Sequence, residues 1–345
     1  RGTRARGVTI PNTTTASAPA RGVNATPEQI AAALSDPDMT YVVASHRNAD
    51  GDAIGTMLGV ARAMRQAGLS VRLAHPDEDP VPAELAFLLE PSEEIGHDPG
   101  LAPGVTLVAV DCASPGRLWA DARHEHAGRL INIDHHQDNP GFGDLNLIEP
   151  DASSSAEVAI HVLDAAGWPI DRSVAEPLYV GLVTDTGRFS YANTGSEAHR
   201  IAARLLDAGA RGELLSRLLY EEQPIERLAL LGRALARAER RADGRLMVAA
   251  LDAADFEAAG GRDAEGAVEL MRSAQGVEVA ALVRESDGNG LRVSLRSQTG
   301  DVDVSLIARA YGGGGHRAAA GFSATGPPDE LLDRITDQVV AQLDG

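Results

Sequence analysis

The alternation of apolar and polar positions along the chain predicts an α/β fold. From about Pro27 onward, short apolar runs are followed by stretches with helical spacing. These runs have the length and the Val, Ile and Leu content of parallel strands that are buried on both faces. Strands are predicted over 40–45, 71–75, 105–111, 130–134 and 145–148, and helices over 53–67, 154–166, 172–187 and 196–208. This order predicts a mainly parallel sheet flanked by helices.

The rest of the chain predicts a smaller α/β domain that follows a helical connector. Residues 213–241 are rich in Leu, Ala and Arg, which is typical of a helical linker. Beyond them, strands are predicted over 245–251, 277–284 and 291–297, and helices over 264–274, 302–311 and 328–342. The first residues are rich in Thr, Ala, Arg, Gly and Pro without an apolar core, which indicates a disordered tail rather than a secretory signal. The predicted organisation is a tail over 1–25, a first domain over 26–212, a linker over 213–241 and a second domain over 242–345.

Composition excludes several classes of function. The 345 residues carry a formal net charge of −19, which argues against binding of long nucleic acid through a broad basic surface. No run approaches the roughly 18 apolar residues of a membrane span, so no membrane partner is expected. The single cysteine, Cys112, fits a reducing compartment, and we expect a cytoplasmic protein. The chain contains no lysine, so any cationic contact to an anionic substrate must come from arginine, histidine or a bound metal.

Acidic and imidazole side chains follow three of the predicted strands, and one more acid ends a predicted helix. Because the carboxyl ends of parallel strands meet at one edge of a sheet, these side chains are expected to converge on one crevice. They are His46, Asp50, Asp52, Asp111, Asp134, His135, His136 and Asp185.

This set of side chains suits a pair of metal ions. Aspartate and histidine without a thiolate favour Mn²⁺, Fe²⁺, Co²⁺ or Mg²⁺ over a structural zinc site. At least four carboxylates and two imidazoles are more than one ion requires. They match two ions about 3.5–4 Å apart, which clamp the attacking and leaving oxygens of a phosphoryl displacement. The chemistry indicated is hydrolysis.

Each of these residues also has a simpler interpretation when it is taken alone. Asp52 could cap the helix that begins at Ala53, and for this residue capping is the better explanation. Asp111 and Asp185 could be turn residues, and His135-His136 could be a surface pair. Ser153–Ser155 could offer hydroxyls to the site, but capping of the helix near Ala156 is the better explanation. The joint placement of the acids and histidines after strands is what favours a metal site.

The motifs resemble those of the DHH phosphoesterase family, which is named for the run Asp134-His135-His136. The match runs in order through His46-x-x-x-Asp50-x-Asp52, Val110-Asp111, the Asp-His-His run and Thr184-Asp185-Thr186-Gly187. The C-terminal part is similar to the family's associated nucleotide-binding domain, in residues 293–297 and 312–321. The resemblance covers nearly the whole chain. It implies a catalytic domain over 26–212 and a substrate-binding domain over 242–345.

The resemblance also implies roles for single residues. His46, Asp50 and Asp111 would hold one ion, and Asp52, Asp111, His135 and Asp185 would hold the other, with Asp111 as the bridge. Asp134 would orient a ligand imidazole through its ring N–H. His136 would face the substrate phosphate as a donor or acid. The two divalent ions are expected to be Mn²⁺, with Mg²⁺ or Co²⁺ as the other choices.

The second domain is expected to bind the substrate. Consecutive glycines can turn their backbone N–H groups into a concave nest for a phosphate, although four glycines alone could form a flexible loop. Arg296 is expected to contact a phosphate, although an alternating strand would also place an arginine in solvent. The substrate-binding prediction covers Arg296, Ser297, Gly313, Gly314, Gly315 and His316.

Within the family, the chain is most similar to two-domain members of the NrnA type. Those enzymes trim very short oligoribonucleotides and dephosphorylate 3′-phosphoadenosine 5′-phosphate (PAP). The expected partners are therefore short RNA, dinucleotides and this phosphorylated adenosine nucleotide, and the resemblance makes a homodimer plausible. A phosphodiesterase of cyclic or linear dinucleotides is the alternative that the sequence separates poorly. A RecJ-like exonuclease, a manganese pyrophosphatase and a non-catalytic nucleotide sensor fit less well.

Overall fold

The structure, a computed structural model, describes residues 22–222, 224–260, 264, 266–286 and 290–344. These residues form two compact units, which divide the chain between Glu222 and Pro224. Each unit has its own sheet and its own hydrophobic core. Within the described ranges, no helix combines the length and apolar character that crossing a bilayer requires.

The first unit is built on a seven-stranded sheet in which every pair of neighbouring strands is parallel. Its strands are β1 (Val23–Asn24), β2 (Thr40–Ala44), β3 (Ser70–Ala74), β4 (Ile95–Gly96), β5 (Val105–Val110), β6 (Arg129–Asp134) and β7 (Leu145–Ile148). Their order is β1-β7-β6-β5-β2-β3-β4. The prediction of a mainly parallel sheet is confirmed, and the three strands that precede the acids and histidines are neighbours in its middle.

In the described part of this unit, six helices accompany the sheet, and one of them is buried along nearly its whole length. They are α1 (Pro27–Ala33), α2 (Gly51–Gln66), α3 (Ser155–Ala166), α4 (Arg172–Asp185), α5 (Ser196–Asp207) and α6 (Gly212–Tyr220). Every residue of α2 from Gly51 to Met64 is buried, so this helix is part of the core rather than a cover on its surface.

The second unit contains a six-stranded mixed sheet. Its strands are β8 (Glu239–Arg241), β9 (Leu246–Leu251), β10 (Val279–Ser286), β11 (Gly290–Ser297), β12 (Gly314–His316) and β13 (Ala319–Thr325), in the order β12-β13-β11-β10-β9-β8. Strands β9 and β10 are parallel, and the other pairs are antiparallel. Its helices are α7 (Ile225–Ala236), α8 (Ala253–Ala259), α9 (Ala267–Arg272), α10 (Val304–Ala310) and α11 (Pro328–Leu343).

The structure differs from the predicted domain boundaries at two places. The predicted linker over 213–241 consists largely of α6 and α7, but these belong to different units, and residues 239–241 form β8 instead of continuing a helix. Val23–Asn24 pairs with β7, so the tail predicted over 1–25 extends too far, and its residues up to 21 lie outside the described part of the chain. Strands of two or three residues carry too few positions to show a period.

Glycines allow α2 and α4 to approach each other closely. Gly51, Gly55 and Gly59 are spaced by four residues and therefore lie on one face of α2. A Cβ atom at Gly55 would lie 2.3 Å from the carbonyl oxygen of Pro177 and 2.9 Å from the backbone nitrogen of Gly181, both in α4. The two backbones therefore touch without intervening side chains.

We expect the substitution Gly55→Ala to destabilise the first unit by about 1–3 kcal/mol, because the added methyl group must push the α4 backbone away. Denaturant unfolding would measure this change. The matched control is Gly232→Ala in α7, where an added Cβ has no atom within 4 Å. That variant should keep or slightly raise the stability, because alanine favours a helix interior. Equal stability of both variants would mean that the close approach of α2 and α4 is not required.

Candidate metal centre

The three central strands of the first sheet bring the predicted site residues together. His46 follows β2, Asp111 follows β5, and Asp134 ends β6 with His135 and His136 directly after it. Because these strands are parallel neighbours, their carboxyl ends share one edge. Asp111 has a φ of 52°, in the left-handed region that non-glycine residues seldom adopt. Its backbone N–H donates to the carbonyl of Ile133, 3.0 Å away, which fixes the turn next to β6.

Helix α2 begins at this edge, and the structure corrects the prediction for its cap. The N-cap is Asp50, whose side chain accepts hydrogen bonds from the N–H groups of Asp52 and Ala53, each at 3.1 Å. Asp52 lies inside the first turn and is only 1% exposed. Capping therefore explains Asp50 in part, and it does not explain why an acid is buried at position 52.

Besides the group of Asp111, Asp134 and His136, in which the last two are hydrogen-bonded to each other, two groups of side chains at this edge have the composition of metal ligands. The first is His46, Asp50 and Asp111, and the second is Asp52, Asp111 and His135. Within each group, the ligand atoms lie within 4.8 Å of one another. Asp111 belongs to both groups.

The two carboxylate oxygens of Asp111 face different groups. Its Oδ2 lies 3.4 Å from Nε2 of His46, and its Oδ1 lies 3.9 Å from Nε2 of His135. This division of one carboxylate between two sets of donors is the geometry that a bridging ligand needs.

Asp185 comes to the second group from the end of α4. Its Oδ2 lies 3.5 Å from Nε2 of His135, the same nitrogen that lies 3.9 Å from Oδ2 of Asp52. Asn193 donates to the Asp185 carboxylate at 3.3 Å and to the backbone carbonyl of Ser153 at 2.8 Å. This amide therefore ties Asp185 to the segment before α3, and the sequence-based prediction did not identify it.

The rings of both predicted ligand histidines are held from behind by backbone carbonyls. Nδ1 of His46 lies 2.9 Å from the carbonyl oxygen of Arg47, and Nδ1 of His135 lies 3.2 Å from that of Ala152. A carbonyl only accepts, so each of these contacts suits a ring that carries its proton on Nδ1. In that tautomer the lone pair on Nε2 points towards the carboxylates, as a metal-binding imidazole requires.

Asp134 supports a different histidine from the predicted one. We expected it to orient a ligand imidazole, but its Oδ1 lies 2.8 Å from Nδ1 of His136, which is not a predicted ligand. The same oxygen accepts the backbone N–H of His135 at 2.9 Å, and Oδ2 accepts the amide of Asn139 at 2.5 Å. Burial alone would lower the pKa of His136, but the charge and hydrogen bond of Asp134 outweigh it and raise that pKa to about 10. The pair therefore holds a protonated, oriented imidazole.

The electrostatics of the carboxylates fit a divalent cation. Burial, followed by the charges of Asp111 and Asp185, holds the pKa of Asp52 well above its usual value. Burial also raises the pKa of Asp185 to about 7. The pKa of Asp111 is lowered, because the hydrogen bond to His46 and the charge of His136 outweigh its burial. Metal ions would relieve the repulsion among these acids, so the cluster of buried oxygen and imidazole donors suits divalent metal binding.

The N-terminus of α3 contributes directly to the site, a role that the sequence analysis ranks below helix capping. The N–H of Ser155 donates to Oδ2 of Asp52 at 2.6 Å, and the N–H of Ala156 donates to Oδ1 at 3.0 Å. The hydroxyl of Ser155 also donates to Oδ1 of Asp111 at 2.8 Å. Ser154 is the N-cap, as the prediction of capping by the serine run implies. The adjacent serine therefore positions two carboxylates, which a capping pattern alone does not reveal.

A glycine in α4 leaves room for this arrangement. A Cβ atom at Gly181 would lie 2.7 Å from Oδ1 of Asp52. The hydroxyl of Thr56, one turn further along α2, donates to the same oxygen at 3.1 Å. Both carboxylate oxygens of Asp52 are thus hydrogen-bonded, which compensates part of the cost of burying them.

The predicted substrate-binding residues lie in the second unit, where several have local partners. Nε of Arg296 in β11 forms an ion pair with Oε1 of Glu269 at 2.7 Å, so contact with a phosphate would compete with this pair. Ser297 is buried, and its hydroxyl accepts the N–H of Gly300 at 3.2 Å. The role of these side chains in substrate binding stays a prediction.

The glycine run has a structural explanation besides a phosphate nest. The N–H of Gly313 donates to the carbonyl of Ala308, and a Cβ atom on Gly313 would lie 2.2 Å from the carbonyl oxygen of Gly321. Gly315 has a φ of 133°, and its Cβ would lie 2.5 Å from the carbonyl oxygen of Ala319. Gly315 within β12 and Gly313 just before it let β12 pack against β13. A Cβ atom on Gly314 would meet no atom within 4 Å, so packing does not explain that glycine.

Comparison with known proteins supports this interpretation of the site. The model of the DHH family, N-terminal domain, matches residues 40–182, and the model of the DHHA1 domain matches residues 243–344. The bifunctional oligoribonuclease and PAP phosphatase NrnA of Thermus thermophilus is 36% identical over 318 residues, which are 91% of this chain and 93% of that protein. The protein of the same name from Bacillus subtilis is 27% identical, over 82% of this chain and 89% of its own length.

The fold also matches a solved structure. The crystal structure of an exopolyphosphatase-related protein from Bacteroides fragilis aligns with a TM-score of 0.82 at 24% identity, over 91% of this chain and 95% of that chain. At this identity the likeness concerns the fold alone. Together, the two family models, the relative from Thermus thermophilus and the cluster around Asp111 lead to one conclusion: the chain belongs to the DHH phosphoesterase family.

Proposed function

We propose that the protein is a two-metal phosphoesterase that hydrolyses very short oligoribonucleotides and removes a phosphate from PAP. The observation that carries the two-metal part is the position of Asp111, whose Oδ2 faces His46 and whose Oδ1 faces His135. A single ion would need only one of these donor sets. Mn²⁺ suits the mixture of carboxylates and imidazoles, and Mg²⁺ or Co²⁺ are the other candidates.

Each group around the centre has a proposed task. Divalent ions held there would polarise the phosphoryl oxygens and supply a water that is acidic enough to attack at neutral pH. Asp111 would contribute one carboxylate oxygen to each donor group. The backbone N–H groups at the N-terminus of α3 hold the carboxylate of Asp52 in place. His136, held by Asp134, is the proposed donor to the phosphate or to the leaving oxygen.

The substrate class is supported by the relatives and by charge. The two relatives described above are named as oligoribonucleases and PAP phosphatases. A net charge of −19 disfavours long strands, since their binding depends on many cationic contacts to phosphates. Short RNA, dinucleotides and PAP are therefore the proposed substrates. The homodimer and the cytoplasmic location stay predictions.

A hydrolysis panel with Mn²⁺ tests this proposal. The panel compares a diribonucleotide, a pentaribonucleotide, a long unstructured RNA, PAP, cyclic di-AMP and pyrophosphate at equal concentrations. We expect turnover of the diribonucleotide and of PAP, and little turnover of the long RNA. No turnover of any diribonucleotide would contradict the proposal. Faster cleavage of cyclic di-AMP than of linear dinucleotides would favour the cyclic-dinucleotide phosphodiesterase instead.

A further inference from the structure

Arg117, on the loop after β5, is a cation beside the metal centre with no assigned task. Its Nη2 lies 2.8 Å from Nδ1 of His46. The carbonyl of Arg117 accepts the backbone N–H of Arg47 at 2.8 Å, so the loops after β2 and β5 are fastened together at this point. The guanidinium is therefore carried by a fixed backbone next to a predicted metal ligand.

Arg117 has no acidic partner among the residues that the structure describes, although five aspartates lie at the adjacent centre. Other arginines do: Arg123, Arg211 and Arg245 each bind a carboxylate through two nitrogens. A partly buried guanidinium that is not neutralised is available to bind an anion.

Orientation of His46 does not explain this arginine. The carbonyl of Arg47 already lies 2.9 Å from Nδ1 and can accept the ring proton that a metal-binding imidazole carries there. A guanidinium offers only donors and cannot accept that proton. Nδ1 of His46 cannot donate to the carbonyl of Arg47 and accept from Arg117 in the same tautomer. In the tautomer that binds a metal through Nε2, the guanidinium is therefore released for an anion.

The charge of the centre creates a need for such a cation. The carboxylates of Asp50, Asp52, Asp111 and Asp185 would balance the charge of two divalent ions. Together these groups would offer no net attraction to an anionic substrate. A guanidinium held beside them supplies a positive charge.

We infer that Arg117 binds a phosphate group of the substrate, as a planar donor beside the metal ions. The ligand class is a phosphate monoester or diester, held through two N–H donors as arginine holds such oxygens elsewhere. This inference rests on the proposed function, because it concerns how the same site holds its substrate. The proposed contact lies inside the metal-binding unit.

Binding of AMP and of inorganic phosphate to the Mn²⁺-loaded protein tests the inference without requiring turnover. Calorimetry would compare wild type with Arg117→Gln and Arg117→Lys, and with Arg123→Gln as the matched control from an exposed ion pair. Arg117→Gln should weaken the binding of both anions about tenfold to a hundredfold, since it removes a charge-assisted hydrogen-bond donor. Arg117→Lys should weaken it less, and Arg123→Gln should not change it. Affinity for Mn²⁺, measured separately, should stay within about twofold of wild type for all variants.

Two results would overturn the inference. Unchanged phosphate and AMP affinity in Arg117→Gln would show that the guanidinium does not contact the anion. A loss of Mn²⁺ affinity as large as the loss of phosphate affinity would show that Arg117 acts by positioning His46. If Arg117→Gln fails to fold, the test rests on Arg117→Lys. Phosphate and AMP affinities equal to wild type in that variant would show that the two N–H donors of the guanidinium do not hold the anion. Failure of the hydrolysis panel would leave these binding results interpretable, so the two proposals can fail separately.

Discussion

Replacement of Asp111 by asparagine should lower kcat/KM for the diribonucleotide about a thousandfold or more. The substitution removes negative charge from a carboxylate whose two oxygens face His46 and His135, so both donor groups lose an anionic ligand at once. Asparagine is the sharpest choice here, because the residue has a φ of 52° and asparagine tolerates this left-handed conformation as well as aspartate does. Steady-state kinetics at saturating Mn²⁺ would measure the loss.

The control for Asp111→Asn is Asp121→Asn, which changes an exposed carboxylate that forms an ion pair with Arg123, two residues further along the chain. That variant should keep the activity of wild type. The rise in melting temperature that Mn²⁺ causes should also shrink in Asp111→Asn, since binding to the folded state stabilises it. Activity above about a tenth of wild type in Asp111→Asn, with an unchanged response to Mn²⁺, would show that Asp111 does not bridge two ions.

Replacement of His136 by glutamine should change kcat, whereas replacement of the neighbouring His135 should change the Mn²⁺ requirement. His136→Gln should lower kcat about a hundredfold to ten-thousandfold, because it removes the donor that Asp134 orients, and it should leave the Mn²⁺ requirement unchanged. His135→Gln should raise the Mn²⁺ concentration needed for half-maximal activity, because its Nε2 faces Asp52, Asp111 and Asp185.

Metal titrations of activity, together with Mn²⁺ binding measured directly, would separate the two variants. Each serves as the control for the other, since the substitutions are the same and the residues are adjacent. Equal loss of Mn²⁺ affinity in both variants would mean that His136 is also a ligand. Unchanged kcat in His136→Gln would remove it from the reaction.

The clustering of the acids and histidines at one edge of the sheet could be predicted because most of them follow strands. A parallel strand carries a strong apolar signal, and its carboxyl end has a known place in the fold, so the position of Asp111 after β5 could be predicted from one sequence. The long helices were found for the same reason. The short strands β1 and β4 and the seven-residue helix α1 were missed, since so few residues show no period.

The individual side-chain contacts of the site could not be predicted. The sequence does not show that Asp50, rather than Asp52, caps α2, because the cap depends on where the first helical turn starts. Nor does it say that the carboxylate of Asp134 turns towards His136. The contact between Ser155 and Asp111 joins residues 44 positions apart and needs the packed fold to exist.

The edge strand β1 has a practical consequence for work with a shortened protein. Its two residues cover the outer edge of β7 by parallel pairing, at Val23 with Leu145 and Asn24 with Asn146. A catalytic fragment that starts at residue 26, as the predicted domain boundary suggests, would leave the backbone N–H and C=O groups of β7 uncovered. Exposed strand edges of this kind recruit other chains and promote aggregation. An expression fragment of the first unit should therefore keep Val23 and Asn24 and the residues that lead into them.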